Sequence, residues 1–301
     1  MNTNLKILIL GASGMLGSTL FRLLPEFGHE VFGTLRQGKL TQFISKAFPN
    51  PNNLSFNIDV LNSGQLSQAI SHINPNIIIN CIGIIKQLDV ANDPLYLIPV
   101  NSLLPHRLSE LAERFKAKLI HISTDCVFDG KKGNYSELDK PNADDLYGKS
   151  KELGEVKDKP HVLTLRTSLI GHELHSSHSL VNWFLSQTEQ VNGYKKAIFS
   201  GLTTMEIAKV IHNHIIPNRE FYGLYQLAVN PITKYDLLIL IKEIYGKDTK
   251  IVPTDSFQMD RSLNAEKFQE DFGYSPPEWK QLILEMKDYY DKFYGNEHVR
   301  Q

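Results

Sequence analysis

Tyr147 and Lys151, four apart in the string YGKSK, and the hydroxyl pair Ser123-Thr124 about twenty residues earlier are the residues best suited to chemistry in this sequence. On a helix, positions i and i+4 share a face, so an ammonium at 151 lies beside a phenol at 147. Reducing a ketone takes a hydride on one face of the carbonyl and a proton for the oxygen as negative charge grows there. Tyr147 is the expected proton donor. Lys151 is expected to draw the phenol's pKa from about 10 toward neutrality and to bond a cofactor ribose. Thr124 is expected to donate a second hydrogen bond to the carbonyl oxygen, and Asn101 to hold a water behind the lysine. A Y-x-x-x-K string alone is more often a surface pair; Ser123-Thr124 and a glycine loop upstream make it a candidate site.

That loop is Gly11-Ala12-Ser13-Gly14-Met15-Leu16-Gly17, directly after the apolar run LKILIL and at the start of a helical stretch. Its glycines recur every third residue, which departs from G-x-G-x-x-G. The physical requirements are the same: a tight turn, close backbone approach to a pyrophosphate, and a helix N-terminus to receive it. Gly11, Ser13, Gly14, Met15, Leu16 and Gly17 are therefore expected to bind a dinucleotide. The next strand-like run, HEVFGTL, leads to Arg36, with no carboxylate to accept a ribose 2′-OH. A guanidinium pairs bidentately with a 2′-phosphate, so NADPH is expected over NADH. Asp59-Val60, after the run LSFNI, is expected at the adenine edge, and Asn80-Cys81-Ile82-Gly83 under the ribose and nicotinamide.

These residues need strand ends and helix starts to present them. The first half alternates β-branched runs (LKILIL, HEVFGTL, NIIINCIG, KLIHIST, HVLTLRT) with helical stretches at Met15–Pro25, Gln65–His72, Ser102–Arg114 and Asp145–Glu155. Such alternation predicts an α/β fold with a Rossmann-type, doubly wound parallel sheet. Beyond Gly171 the pattern loosens into helices near Leu180–Gln187, Thr204–Ile215, Lys234–Tyr245 and Pro277–Phe293. This division assigns 1–171 to an NADP-binding domain and 172–301 mainly to a smaller C-terminal α/β substrate lobe, with some segments returning to the core. The cleft between them is the expected ligand site.

Composition narrows the partners. With 32 Lys and Arg against 33 Asp and Glu, the chain has no basic field for nucleic acid or anionic lipid. No run approaches the roughly 20 apolar residues of a membrane span, and no signal peptide opens the chain, so a cytoplasmic protein is expected. Cys81 and Cys126 each read as part of an apolar strand-like run and as reduced thiols. His172, His175 and His178 beside Glu173 suggest a metal, but Ser176 breaks the H-E-x-x-H pattern and no metal is expected. Lys131-Lys132 reads as a solvated turn, and Trp183 and Phe184 as packing groups.

The segments GASGMLG, STDCVFDG, NYSELDKPNADDLYGKSKELGE, LRTSLIG, SGLTTMEIAKVI and DRSLNAEKF together resemble the extended short-chain dehydrogenase/reductase superfamily, and within it the dTDP-4-dehydrorhamnose reductase family. The resemblance spans nearly the whole chain. It implies reduction of the 4-keto group of a dTDP- or UDP-linked deoxysugar, for surface polysaccharide, with Thr124, Tyr147 and Lys151 as the catalytic set. It further implies substrate contacts from Asn101, Thr124, Asp125, Val127, Phe128 and Arg261, the last as a phosphate partner; a homodimer is left open. Leu169 stands where that family usually has an aromatic residue, and Ser262 where it tends to have proline. A nucleotide-sugar dehydratase would carry Asp-Glu where this chain reads Asp125-Cys126. An NAD(P)-dependent epimerase and an NADP-binding regulatory subunit, like that of methionine adenosyltransferase, stay as alternatives.

Overall fold

The computed structural model describes residues 4–39, 48, 50–174 and 178–294. Its strands in chain order are β1 (Lys6–Leu10), β2 (Glu30–Thr34), β3 (Leu54–Ser55), β4 (Ile77–Asn80), β5 (Lys118–Thr124), β6 (Val162–Thr167), β7 (Leu169–Ile170), β8 (Gln190–Phe199), β9 (Leu202–Thr203), β10 (Gly223–Gln226), β11 (Ile232–Thr233) and β12 (Lys250–Asp260). Seven of them form a parallel central sheet in the order β10-β6-β5-β4-β1-β2-β3. This is the doubly wound sheet that the alternating runs predict.

Side chains alternate across a strand, and here both faces are covered. In β1, Ile7 and Ile9 join one apolar cluster and Leu8 and Leu10 another; in β4, Ile77 and Ile79 oppose Ile78 in the same way. All are fully buried, each contributing about 1.5–3 kcal/mol relative to exposure. The Leu8 face is closed by α2 (Ser63–Ile73) and α4 (Leu104–Arg114), through Leu66, Ile70, Leu104 and Leu108. The Ile7 face is closed by α1 (Met15–Glu26) together with helices from beyond Gly171, α7 (Thr204–Val210) and α10 (Trp279–Tyr294). Thr19 on α1 donates to Thr204 Oγ1 on α7 at 3.0 Å, a buried link between the two halves of the chain. The second half also returns β10 to the edge of the central sheet, beside β6.

Several elements differ from the sequence reading. The helix expected from Ser102 starts earlier, with α3 (Pro94–Leu97) and a π-helical segment, Ile98–Leu103, running into α4. Pro99 has no amide hydrogen to donate at the start of that segment. The expected helix Thr204–Ile215 likewise divides into α7 and a π segment, Ile211–Ile215. The strands β7 to β12 and the helix α9 (Glu266–Phe272) were not expected; β8 and β12, with β11, form a second sheet. The β8 sequence QVNGYKKAIF holds a glycine and two lysines, and β12 holds Pro253, so neither has the apolar continuity of the core strands. LSFNI contributes only the two residues of β3.

Candidate active site

The glycine loop joins the end of β1 to α1. Gly11 takes φ +81°, the left-handed region, and Gly14 N donates back to Gly11 O at 3.0 Å to close the turn. A methyl on Gly17 would stand 2.1 Å from Gly11 O, so the helix lies against the turn only with glycine there. No side chain caps this end of α1 and no acidic residue occupies its first turn. An open helix N-terminus of this kind suits an anion, and the cradle fits a dinucleotide pyrophosphate. Arg36 is exposed just past β2. Asp59 is also exposed, and its Oδ1 accepts from Leu61 N at 2.9 Å; Val60 packs on the Leu8-side cluster.

The end of β4 connects this loop to the tyrosine helix. Asn80 bonds His121 on β5 and turns the chain by accepting from Ile82 N, both at 3.1 Å. Ile82 comes close to Gly11, and Gly83 faces the other way: a methyl there would lie 3.5 Å from Asn101 Oδ1 and 3.9 Å from Lys151 Nζ. Cys81 is a half-buried thiol whose pKa burial raises to about 12.

Tyr147 and Lys151 lie on α5 (Leu146–Leu153), whose first turn is capped by Asp145 accepting from Gly148 N at 2.8 Å. Gly148 was not singled out from the sequence, yet a methyl there would meet Cys126 O at 2.3 Å and Ala143 Cβ at 2.4 Å. Glycine thus lets α5 press against the turn after β5, on the side where Thr124 lowers the Tyr147 phenol's pKa. The Tyr147-Gly148 neighbourhood was the available signal. Lys151 is buried, and its Nζ donates to Ile122 O at 2.9 Å.

Beneath β5 lies a buried ion pair. Arg166 donates to Glu155 through Nε and Nη2, both at 2.7 Å, and Ser123 donates to Glu155 Oε1 at 2.8 Å. Burial pushes the Glu155 carboxyl up, but Arg166 and Lys157 hold it below its ordinary value.

Electrostatics at the strand end differ from expectation. Burial pushes the Tyr147 phenol well above its ordinary value, and the neighbouring Cys126, Asp125 and Asp145 add to this, opposed by Thr124. Lys151 does not draw the phenol toward neutrality; its own amine is pulled down by burial to about 8, against Glu155. Tyr147 therefore rests protonated, as a proton donor must. Asp125 is raised by burial and pulled back by Cys126, Arg261, Thr124 and Ser168.

Four further positions are placed as follows. Asn101 is 1% exposed, and its amide is bonded to the Ile84 main chain, Oδ1 accepting at 2.9 Å and Nδ2 donating at 3.0 Å, so it fixes the Gly83 segment. Val127 and Phe128 are fully buried, Phe128 stacked on Tyr135 at 4.1 Å, so their side chains are core. Cys126 is in a 3-10 turn, Asp125–Val127, and not in a strand, because Thr124 Oγ1 accepts from Cys126 N at 3.1 Å and ends β5. Its thiol is also raised to about 12, chiefly by burial.

Arg261 follows β12 and reaches the same turn. Its Nε donates to Phe128 O at 2.7 Å and its Nη1 lies 3.5 Å from Cys126 Sγ. The segment is stitched in place by Asp260 N to Gly130 O at 2.8 Å and Tyr135 N to Ser262 O at 2.9 Å. His172 is buried and pairs with the Tyr245 hydroxyl at 2.8 Å, His178 is exposed, and His175 and Ser176 lie outside the described residues. Among the described residues no group of His, Cys, Asp or Glu is arranged to hold a metal. No helix among them is long and apolar enough to cross a membrane.

A family model described as RmlD substrate binding domain matches residues 5–292. The chain belongs to this family. Among relatives of this RmlD-family chain, the dTDP-4-dehydrorhamnose reductase of Aggregatibacter actinomycetemcomitans is 26% identical, over 94% of this chain and 99% of its own length. Methionine adenosyltransferase 2 subunit beta of Bos taurus is 29% identical, over 50% of this chain and 42% of its own. The crystal structure of dTDP-4-dehydrorhamnose reductase from Bacillus anthracis in complex with NADP superposes with a TM-score of 0.79 at 20% identity, over 95% of this chain and all of that one, a likeness of fold.

Proposed function

We propose that this chain is an NADPH-dependent reductase of the 4-keto group of a dTDP- or UDP-linked deoxysugar. The observation that carries the reading is the continuity of the site along the C-terminal ends of β1, β4 and β5. Ile82 closes on Gly11 of the anion cradle, Gly83 faces Lys151, and α5 with Tyr147 presses through Gly148 on the turn after Thr124. NADPH, when bound, supplies the hydride.

Gly11, Ser13, Gly14, Met15, Leu16 and Gly17 hold the pyrophosphate by main chain, and Arg36 takes the 2′-phosphate. Asp59, Val60, Cys81, Ile82 and Gly83 line the adenine, ribose and nicotinamide side. Lys151 orients the nicotinamide ribose, Thr124 donates to the carbonyl oxygen, and Tyr147 gives that oxygen its proton. Asp125 and Arg261, over the same turn, are the polar contacts for the sugar nucleotide, and the part of the chain after Gly171 mainly furnishes the substrate side.

A cytoplasmic setting follows from the reaction's soluble partners. Leu95, Tyr96, Leu103 and Leu153 expose apolar surface on neighbouring segments, which supports a homodimer. The reductase relative, matched over 94% of this chain and 99% of its own length, favours catalysis over the regulatory-subunit reading, whose relatives match 50% to 80% of the chain. No carboxylate follows Asp125, which disfavours dehydration.

NADPH oxidation against a panel of 4-keto sugar nucleotides carrying dTDP or UDP, with NADH alongside, tests the proposal. Turnover with one of them is expected. Changing Tyr147→Phe should lower it about 10²–10⁴-fold while leaving NADPH binding intact. NADPH binding without turnover on any member of the panel would favour the regulatory-subunit reading.

A further inference from the structure

We infer that Glu155 is a positioning residue of this site, holding the end of β5 in register with α5 through Ser123 and so setting where Thr124 stands relative to Tyr147 and Lys151, an inference that rests on the reductase reading. Two ties run from the α5 side to consecutive residues of β5. Lys151 Nζ donates to Ile122 O at 2.9 Å, and Glu155 Oε1 accepts from the Ser123 hydroxyl at 2.8 Å. Glu155 lies just past the helix end, four residues after Lys151, and its N donates to Glu152 O at 3.0 Å, so the carboxylate follows the helix. The next residue of β5 is Thr124.

Successive side chains of a strand point to opposite faces, so Ser123 and Thr124 do not serve the same ligand. On the Ser123 side, its register neighbour on β6, Arg166, donates to the same carboxylate through Nε and Nη2, both at 2.7 Å. Lys157 Nζ lies 3.0 Å from Oε2. Each oxygen of Glu155 thus has two partners, Ser123 and Arg166 Nε on Oε1, Arg166 Nη2 and Lys157 on Oε2, which fills its acceptor sites. The side chains of Glu155 and Arg166 are 0% and 1% exposed. A buried ion pair is a poor source of stability, because well-packed apolar residues of similar volume commonly serve as well. What it supplies is direction. A carboxylate fixed by a bidentate guanidinium offers Ser123 one oxygen in one place, and a slip of β5 along α5 loses that bond.

Tyr147 and Thr124 have to reach one carbonyl oxygen, yet they stand on different elements. Gly148 sets how closely α5 approaches the turn after β5. Lys151 and Glu155 set how far along the strand the helix sits.

Ser123→Ala removes the tie and keeps the ion pair. With the keto sugar nucleotide that the wild-type protein reduces, stopped-flow hydride transfer from NADPH should slow about tenfold or more, while NADPH affinity and the KM for the sugar nucleotide stay within about twofold of wild type. Glu155→Asp keeps the charge beside Arg166 but is one methylene too short to hold both partners, and should give the same split. Because Glu155 acts through Ser123, the double variant should match the slower single variant within about twofold.

Wild-type hydride transfer in Ser123→Ala, equal losses of hydride transfer and NADPH affinity, or losses that multiply in the double variant overturn the positioning role. Should Glu155→Asp fail to fold, Ser123→Ala decides through the split alone. A wild-type protein that reduces no member of the panel overturns the reductase reading and the positioning role with it, a result seen before any variant is assayed.

Discussion

An ammonium withdrawn from water loses hydration that nothing at Lys151 fully replaces, so this 5% exposed amine loses its proton near pH 8. If its charge orients the nicotinamide ribose, kcat/KM for NADPH should be flat below that value and fall as pH rises through it. A profile recorded from pH 6.5 to 9.5 checks this; a flat profile to the end would separate the charge from catalysis. Tyr147, Lys151 and Thr124 were readable in the sequence because helical spacing and a strand end fix their local relation. The packing of Asn101, Val127 and Phe128 was not readable, because the direction of a side chain at a turn is decided by what packs on it. Phe128 turns inward to stack on Tyr135, and Arg166 lies over its other surroundings with Cζ 5.1 Å from the ring centroid. The phenol's pKa was misjudged for a related reason: a charge four residues away in sequence matters less than where its donor points.

Among the elements, α5 is the one whose placement the chemistry depends on most. Its approach to the turn after β5 is set at Gly148, where an added methyl has no room against Cys126 O. Gly148→Ala should therefore displace the helix, lowering kcat by about 10²-fold for a shift near 1 Å and stability by about 1–3 kcal/mol. Assays of turnover and denaturant midpoint on the same variant would show both effects; unchanged turnover would mean that Tyr147 is positioned from elsewhere. The buried core strands and α1, α2, α5 and α8 (Lys234–Tyr245) were readable because burial writes itself into apolar periodicity. β8, half of whose positions are glycine, amide or lysine, and the mostly exposed β12 left no continuous apolar run, and the π segments depend on packing, as where Gly154 abuts Asn101 O.

At the scale of the whole molecule, one apolar cluster joins Ile7 and Ile79 of the central sheet to Ile207, Leu237 and Ile283 from beyond Gly171. A shared core predicts a single cooperative calorimetric transition. Saturating NADPH, at about 100 times its Kd, should stabilise that transition by about 2.7 kcal/mol. Two resolved transitions, only one of them shifted, would show that the halves fold separately. The sequence division at residue 171 suggested a boundary, while the return of later segments to the core was also expected; only the spatial arrangement shows how far that return goes. The edge strand β10 belongs to the central sheet by hydrogen bonding but to the later half by sequence. Specificity in this scaffold therefore cannot be exchanged as a modular cassette: a graft of everything after Gly171 would carry away the outermost strand, so new substrate preferences have to be introduced by point changes around a conserved frame.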